Sequence, residues 1–566
     1  MGQETNAELI RALEERIEEG NGDAIELKRV RNSLLNISTR VPPEILGEIF
    51  SWNLVRPDPD PELEYHFYGF CKGSYNFLLV CHHWFQVASH NPKLWAYCGN
   101  TLGHWEKWFR RHPQPAPLDL ALNDISSDST QPSINHTVRD ALKDYVARDA
   151  IRQVHLCSWN PYLLPSVISL LTPEGEGVQW RSIETIDLKH PWGATPFVSD
   201  FFTRLRLPKL RSLLLYGPLI PSSWNHLAQQ TAVLTTLSLW VRTAPPSPVP
   251  TISQFLSILA ANPGLQVLSL GTPTIQEDDD NKFMPQVSLQ HLKRLYLDCK
   301  LRPVVKILEC LAFPYPLNSL KITASTSAIE SVSQTLGPFA RLYFQSKNFP
   351  WDRCKVEARP STQGFTVRVD NEYGGDGTVP LSANFEVRPA GHPLRDVMQN
   401  LCRDFVVFIA EERVRHLRTT IPSVKLEDLL IAMPKIETLE LLDVEMSESF
   451  LRPNPDGLHS KSKLLPSLRS LHLNDAIRID RDWGPLTAFL RHQTSVGQAI
   501  SLHIKGVGSH MCPDVAKEIR DLVEEFTFDV PAVVVPGCPL GRCREGEVDG
   551  TLVVEWSSLV LHNSIA

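Results

Sequence analysis

The chain has 566 residues, too many for one compact core, so several domains or a repeat array are expected. A formal net charge of −8 and an isoelectric point of about 6.2, with no compensating Lys/Arg run, exclude a general attraction to nucleic acid or anionic membrane. No apolar run reaches the roughly 18 residues of a membrane helix. The opening MGQETNAELI lacks the basic and apolar blocks of a secretory leader, and the cysteines show no paired spacing, so reduced thiols in the cytoplasm or nucleus are expected. The glycosylation patterns Asn36-Ile-Ser38 and Asn135-His-Thr137 are therefore read as chance matches. Residues 1–40 are charged and helical, with Leu9, Leu13 and Ile17 at four-residue steps, then Leu27, Val30, Leu34 and Ile37 as a short heptad seam. Gly20-Asn21-Gly22 interrupts them, which predicts a helical hairpin or a kinked helix. So few heptads hold a dimer poorly, so packing back on the next segment is preferred to a dimeric coiled coil.

The segment 41–97 opens with VPPEILGEIFSWNL and closes with FLLVCHHWFQVASHNPKLWAY. Pro42 and Pro43 suit a helix start, where a missing N–H costs nothing, and Ile45, Leu46, Ile49 and Phe50 follow at helical spacing. Phe77, Leu78, Val80, Cys81, Trp84 and Phe85 form a second apolar stripe, and Leu94 and Trp95 close the segment. So short a stretch with so many large apolar residues buries too few of them alone and predicts a partner surface. The order of proline pair, Glu-Ile-Leu, Ile-Phe, Leu-x-Val-Cys-x-x-Trp and Leu-Trp resembles an F-box. The resemblance implies binding to a Skp-family adaptor and, through it, to the cullin of a ubiquitin ligase. It implies adaptor-facing roles for Pro42, Pro43, Glu44, Ile45, Leu46, Ile49, Phe50, Leu78, Val80, Cys81, Trp84, Leu94 and Trp95, some of which must instead be internal core. The insert from Val55 to Asn76, with Pro57, Pro59 and Pro61 between acids, is longer than a compact F-box needs and is expected to loop out.

Beyond it, alternation of Leu118, Leu120 and Leu122 predicts a strand, and a polar loop leads to a helical segment ending near Ala150. From Ile151 the pattern apolar-x-x-apolar-x-apolar recurs: IRQVHL at 151, IETIDL at 183, LRSLLL at 210, LTTLSL at 234, LQVLSL at 265, LKRLYL at 292 and LNSLKI at 317. It returns as IETLEL at 436, LRSLHL at 468 and AISLHI at 499. Consensus and spacing are those of leucine-rich repeats, in which each short parallel strand needs a neighbour on either side to hide its inward side chains. Helical stretches between them, such as ISQFLSILAANPG capped by Thr251, VVKILECLAFP at 304 and VKLEDLLIAMP at 424, make the expected fold class α/β, a horseshoe of irregular repeats behind a small helical F-box. Repeats are assigned to 98–322 and 414–525. The pattern lapses over 323–413, where Lys355-Val-Glu-Ala, FTVRVD at 365 and NFEVRP at 384 read as antiparallel strands of an insertion or as repeats too degenerate for the consensus. A helix from about His392 feeds a strand near Val414, and the apolar strands of 526–566 are expected to cap the array.

Motifs for bond chemistry are missing: there is no phosphate loop, no Gly-x-Ser-x-Gly elbow and no His-Glu-x-x-His. Cys71, Cys81, His82, His83 and Cys98 lack paired metal-ligand spacing, and Cys538 and Cys543 form a pair without a second pair. No catalytic residue, metal or cofactor is expected. Residues between the consensus positions line the inner face of a horseshoe: His155, Asp187, Tyr216, Trp240, Tyr296, Asp298, Lys321, Glu440, His472 and His503. Among these Tyr216, Trp240, Tyr296, Asp298 and Lys321 are the candidate substrate contacts, because aromatic residues flanked by charge are enriched in hot spots. The plainer reading packs Trp240 on the following APPSPVP loop. The resulting expectation is a non-catalytic subunit that holds a protein target for an SCF-type ubiquitin ligase, similar in style to the large F-box families of mushroom-forming fungi. Its rival is a repeat scaffold that joins no ligase.

Overall fold

The computed structural model describes residues 2–19, 23–35, 41–53, 82–90, 97–98, 118–124, 134–158, 162–172, 178–189, 205–217, 233–240, 250–271, 275, 284–314, 316–326, 332–345, 349, 354–361, 364–371, 382–389, 395–410, 413–420, 429–442, 465–474, 483–505, 513–529 and 561–562. It is a mixed α/β protein whose strands are mostly parallel, and it divides into a unit of Met1–Pro250 with Ser257–Leu265 and a unit of Thr251–Leu256 with Gln266–Ala566.

The first unit begins with α1 (Gly2–Glu18) and α2 (Ala24–Leu35), which pack on each other, the hairpin of the two alternatives left open by the interrupted pattern, with Leu13 buried between charged flanks. Then come α3 (Pro43–Asn53) and α4 (His82–His90). The Pro42 carbonyl accepts from Leu46 N–H at 3.0 Å, so Pro42 sits at the cap and Pro43 in the first turn, where proline sacrifices no hydrogen bond. Five mutually parallel pairings then join β1 (Tyr97–Cys98), β2 (Leu118–Asp124), β3 (Ile151–Ser158), β4 (Thr185–Lys189), β5 (Ser212–Tyr216) and β6 (Thr236–Trp240) in that order. Between β2 and β3 lies α5 (His136–Ala147), and after β3 comes α6 (Leu163–Leu171). Asn135 caps α5 by accepting from Thr137 N–H at 2.9 Å, which gives the Asn-x-Thr spacing a structural role. The alternation in β2 suggested one buried face, but Asp119 and Ala121 are buried together with Leu118, Leu120 and Leu122. The carboxylate tolerates burial because Arg152 bonds it at both oxygens, Nε at 3.0 Å and Nη2 at 2.8 Å.

Helix α7 (Ile252–Ala261) opens with a reciprocal cap: Gln254 N–H donates to Thr251 Oγ1 and Gln254 Oε1 accepts from Thr251 N–H. The second unit continues with β7 (Val267–Leu270), β8 (Arg294–Lys300), α8 (Leu301–Cys310) and β9 (Ser319–Thr326), the strands paired in parallel. Next come α9 (Val332–Phe344), β10 (Cys354–Ser361), β11 (Gly364–Asn371), β12 (Ser382–Pro389), α10 (Arg395–Ala410) and β13 (His416–Thr419). The unit ends with β14 (Thr438–Leu442), β15 (Ser470–Asn474), α11 (Gly484–Ser495), β16 (Ser501–Lys505), α12 (Pro513–Leu522), β17 (Glu525–Asp529) and β18 (Leu561–His562). The lapse in the repeat pattern is an antiparallel meander, β10-β11-β12, spliced into the parallel sheet. Strand β12 lies parallel beside β9 and β10 lies parallel beside β13, so the spatial order is β9-β12-β11-β10-β13. Beneath it an aromatic core joins Phe344, Phe365, Phe385 and Phe405, with Phe385 and Phe405 centroids 5.5 Å apart. Strands β13 to β17 resume parallel pairing, and β18 closes antiparallel on β17. Of the capping segment, 530–560 lies outside the described residues.

All ten repeats of the consensus fall on these strands, and their apolar places are buried, save that Ala499 is exposed and Ile500 fills the interior beside it. One backbone device recurs. The carbonyl of the residue just before a strand accepts from two successive N–H groups of the next repeat: Glu184 from Arg211 and Ser212, Arg211 from Thr235 and Thr236, Gln266 from Lys293 and Arg294, and Glu437 from Arg469 and Ser470. These paired bonds fix register at the entry of each strand, where a one-residue slip would turn every leucine outward.

Gly364 enters β11 at φ +151, and a Cβ there would overlap the Val387 carbonyl of the neighbouring strand. Gly364→Ala is expected to destabilise the second unit by about 2–4 kcal/mol, read as a lowered urea midpoint. Gly497→Ala, at φ +80 with open space around it, is expected to cost only about 1 kcal/mol.

Candidate functional site

Helix α3 sorts the proposed adaptor residues by its 3.6-residue period. Leu46 and Phe50, one turn apart, are buried with Ala88 of α4, and Val41, Trp84 and Val87 pack around them. The Phe50 and Trp84 rings meet at 5.0 Å, tilted by 57°. Ile45 and Ile49 lie on the next stripe and are 54% and 45% exposed, and Phe85 of α4 is 49% exposed. Pro42, Pro43 and Glu44 are exposed too. Leu46 and Phe50 are thus interior groups, whereas Ile45 and Ile49 face outward, a distinction that spacing alone did not draw. Leu78, Val80, Cys81, Leu94 and Trp95 lie outside the described residues.

On the strands of the first unit the residues between consensus leucines are largely covered. Asp187 is buried, with His155 Nδ1 at 3.4 Å and Lys189 Nζ at 3.9 Å from Oδ2. Burial alone would raise its pKa, but Lys189 and His155 outweigh that and leave the carboxyl below its ordinary value. Lys189 also stands 4.7 Å from the centre of the Tyr216 ring, which stacks on Trp240 with centroids 6.3 Å apart and planes 8° from parallel. The stack follows from register, since Tyr216 and Trp240 are direct partners on β5 and β6. The two rings are half-buried. Cys157 lies opposite Lys189, and burial pushes its thiol up to about 11, so it is protonated at neutral pH and unsuited as a nucleophile.

In the second unit the middle position of the strand is buried on β8 and half-buried on β9, β14, β15 and β16. Tyr296 is 5% exposed and donates to Ser319 Oγ at 3.1 Å, so it offers a partner almost no surface despite its place among the candidate contacts. Its register partner Lys321 is half-buried, and Asp298 lies 3.8 Å from Arg388. From Lys321 the row continues through Asn384, Arg368, Glu357, Arg418 and Glu440 to the imidazoles of His472 and His503. The two imidazoles stack at 4.3 Å, with His472 bonded to Ser470 and His503 to Thr527. Glu440 is the hub: Lys355 Nζ at 2.9 Å, Arg418 Nε at 3.4 Å and Asn474 Nδ2 at 2.6 Å surround it. Burial raises its pKa, but the bond to Lys355, the Arg418 charge and the Asn474 amide prevail, and the carboxyl ends below its ordinary value.

Comparison with protein-family models and with curated proteins gives no match for this chain. Two features of the site escaped sequence reading. Glu357, Arg368 and Arg418 lie on strands without the leucine consensus, so only pairing brings them into the row of Lys321 and Glu440, and Lys355, paired with His416, reaches Glu440 through its side chain. The strand entries, in contrast, carried a usable signal: Leu207-Pro208, Asn262-Pro263, Met433-Pro434 and Leu465-Pro466 each precede a consensus residue whose N–H bonds back three residues.

A carboxylate whose folded pKa is depressed contributes stability above its unfolded pKa and loses it as pH falls through the folded value. Acidification from about pH 7 to about pH 3 is therefore expected to lower the urea midpoint of the native chain more than that of Glu440→Gln. Parallel pH profiles would show that Glu440 is not held as an anion by Lys355 and Arg418.

Proposed function

We propose that this chain is the target-recognition subunit of an SCF-type ubiquitin ligase, an F-box protein whose leucine-rich repeats hold a protein substrate. The observation that carries the reading is the division of α3, with Leu46 and Phe50 closed into a small core while Ile45, Ile49 and, on α4, Phe85 present large apolar surface to solvent. Exposed aliphatic and aromatic groups on helices whose described residues share a small core favour a covering partner, and the resemblance of 41–97 to an F-box names a Skp-family adaptor, with cullin behind it. The repeat consensus, the in-register parallel strands and the polar row of the second unit support a protein-binding role for the remainder. Its action is positional. Adaptor and target are joined through one chain, which raises the effective concentration of target lysines near the ubiquitin carrier, and the bond chemistry belongs to other subunits.

The test separates docking from folding. Ile45→Asp with Ile49→Asp is expected to weaken capture of a Skp-family adaptor by at least about tenfold, with the thermal transition unchanged. Phe50→Ala removes the core itself and is expected to cost about 3 kcal/mol or more. Undiminished capture by the Ile45/Ile49 variant, or no capture by the native chain, leaves a repeat scaffold outside any ligase.

A further inference from the structure

The meander within the second unit presents an arginine from each of its three strands: Arg359 on β10, Arg368 on β11 and Arg388 on β12. All three are about half exposed, at 51%, 52% and 51% of their side-chain surface. Each is held by a carboxylate beneath it: Arg359 by Glu357, Arg368 by Asp370, and Arg388 by Glu386 at 2.7 Å with Asp298 at 3.8 Å. In every one of these pairs the carboxylate is the more buried member, and the same holds where Arg418 meets Glu357 and Glu440 and where Lys355 meets Glu440. The acids anchor and orient the cations, and a partner approaching this face meets guanidinium edges. A guanidinium carries five donors in a planar fork, more than one carboxylate takes up.

We propose that this arginine face binds an acidic segment of the captured protein, a run of Asp and Glu in extended conformation. The proposal rests on the reading of the repeats as the target-holding part and names the chemistry of the target. Spacing selects among anions. Arg359 lies opposite Thr366, two residues from Arg368, so the two are diagonal neighbours at roughly 7–8 Å. That matches the advance of about 7 Å between alternate residues of an extended peptide. The three arginines rest on separate carboxylates, so they are spread out rather than converged on one point. A row of single carboxylates fits that spread, whereas a phosphate group draws several donors onto one centre.

The experiment uses the full chain and a short fluorescent oligo-glutamate peptide, with a phosphoserine peptide and a single-stranded oligonucleotide of equal charge as comparison arms. Binding of oligo-glutamate that weakens with salt, and weakens by about tenfold or more in Arg359→Gln/Arg368→Gln, is the expected result. Arg148→Gln, at an exposed ion-paired arginine that caps the C-terminus of α5, serves as the control for net charge and should leave binding unchanged. The urea midpoint of each variant is measured alongside, so that a lost fold is not mistaken for a lost contact. No oligo-glutamate binding by the native chain, equal loss in Arg148→Gln, or tighter binding of the phosphopeptide or oligonucleotide overturns the proposal. Adaptor capture is read on the same preparations. Capture without peptide binding sinks this inference alone, and peptide binding without capture sinks the ligase reading alone.

Discussion

The structure depends on one constraint, that a short parallel strand cannot satisfy its backbone or hide its leucines without a neighbour in register on each side. Five or so residues bury about three aliphatic groups, a gain that the entropy of ordering the segment consumes. Stacking removes the difficulty by making each strand the lid of the next. The doubled hydrogen bonds accepted by Glu184, Arg211, Gln266 and Glu437 hold adjacent strands in one register, and at Leu210, Leu265, Ile436 and Leu468 the apolar residue that follows a Pro-containing turn plugs the interior.

The same constraint explains why the meander is admitted. Three antiparallel strands begin and end in the same direction, so β12 beside β9 and β10 beside β13 continue the parallel ladder on either side without leaving an unpaired edge. The meander contributes its own core of Phe344, Phe365, Phe385 and Phe405 to replace the leucines it lacks. Its polar face is then free to carry charge. Within that row ion pairs are shared between strands, as where Arg418 stands between Glu357 and Glu440, and this sharing lets charged groups be partly buried without a stranded ion.

The front segment solves the opposite problem. Helices α3 and α4 share a core of Leu46, Phe50 and Ala88, with Trp84 beside it, and keep Ile45, Ile49 and Phe85 outside. Large apolar groups on so small a core lower the stability of the free segment and raise that of a complex, which is the thermodynamic condition for a docking element.

The strand repeats, the separation of α1 from α2 and the helix starts at Pro43 and Thr251 could be read from residues in order, because they rest on periodicities and caps that span only a few positions. The antiparallel character of 354–389 was legible as one of two alternatives for the same reason. Which strands the meander joins could not be read, since pairing between β12 and β9 links residues more than sixty positions apart and no local pattern records it. Nor could burial of the non-consensus places: Tyr296 and Lys321 occupy equivalent positions in equivalent repeats, yet only Lys321 reaches solvent appreciably. Local spacing determined which residues share a face. The tertiary structure decided which of those faces is covered, because exposure depends on what packs above a strand and not on the strand itself.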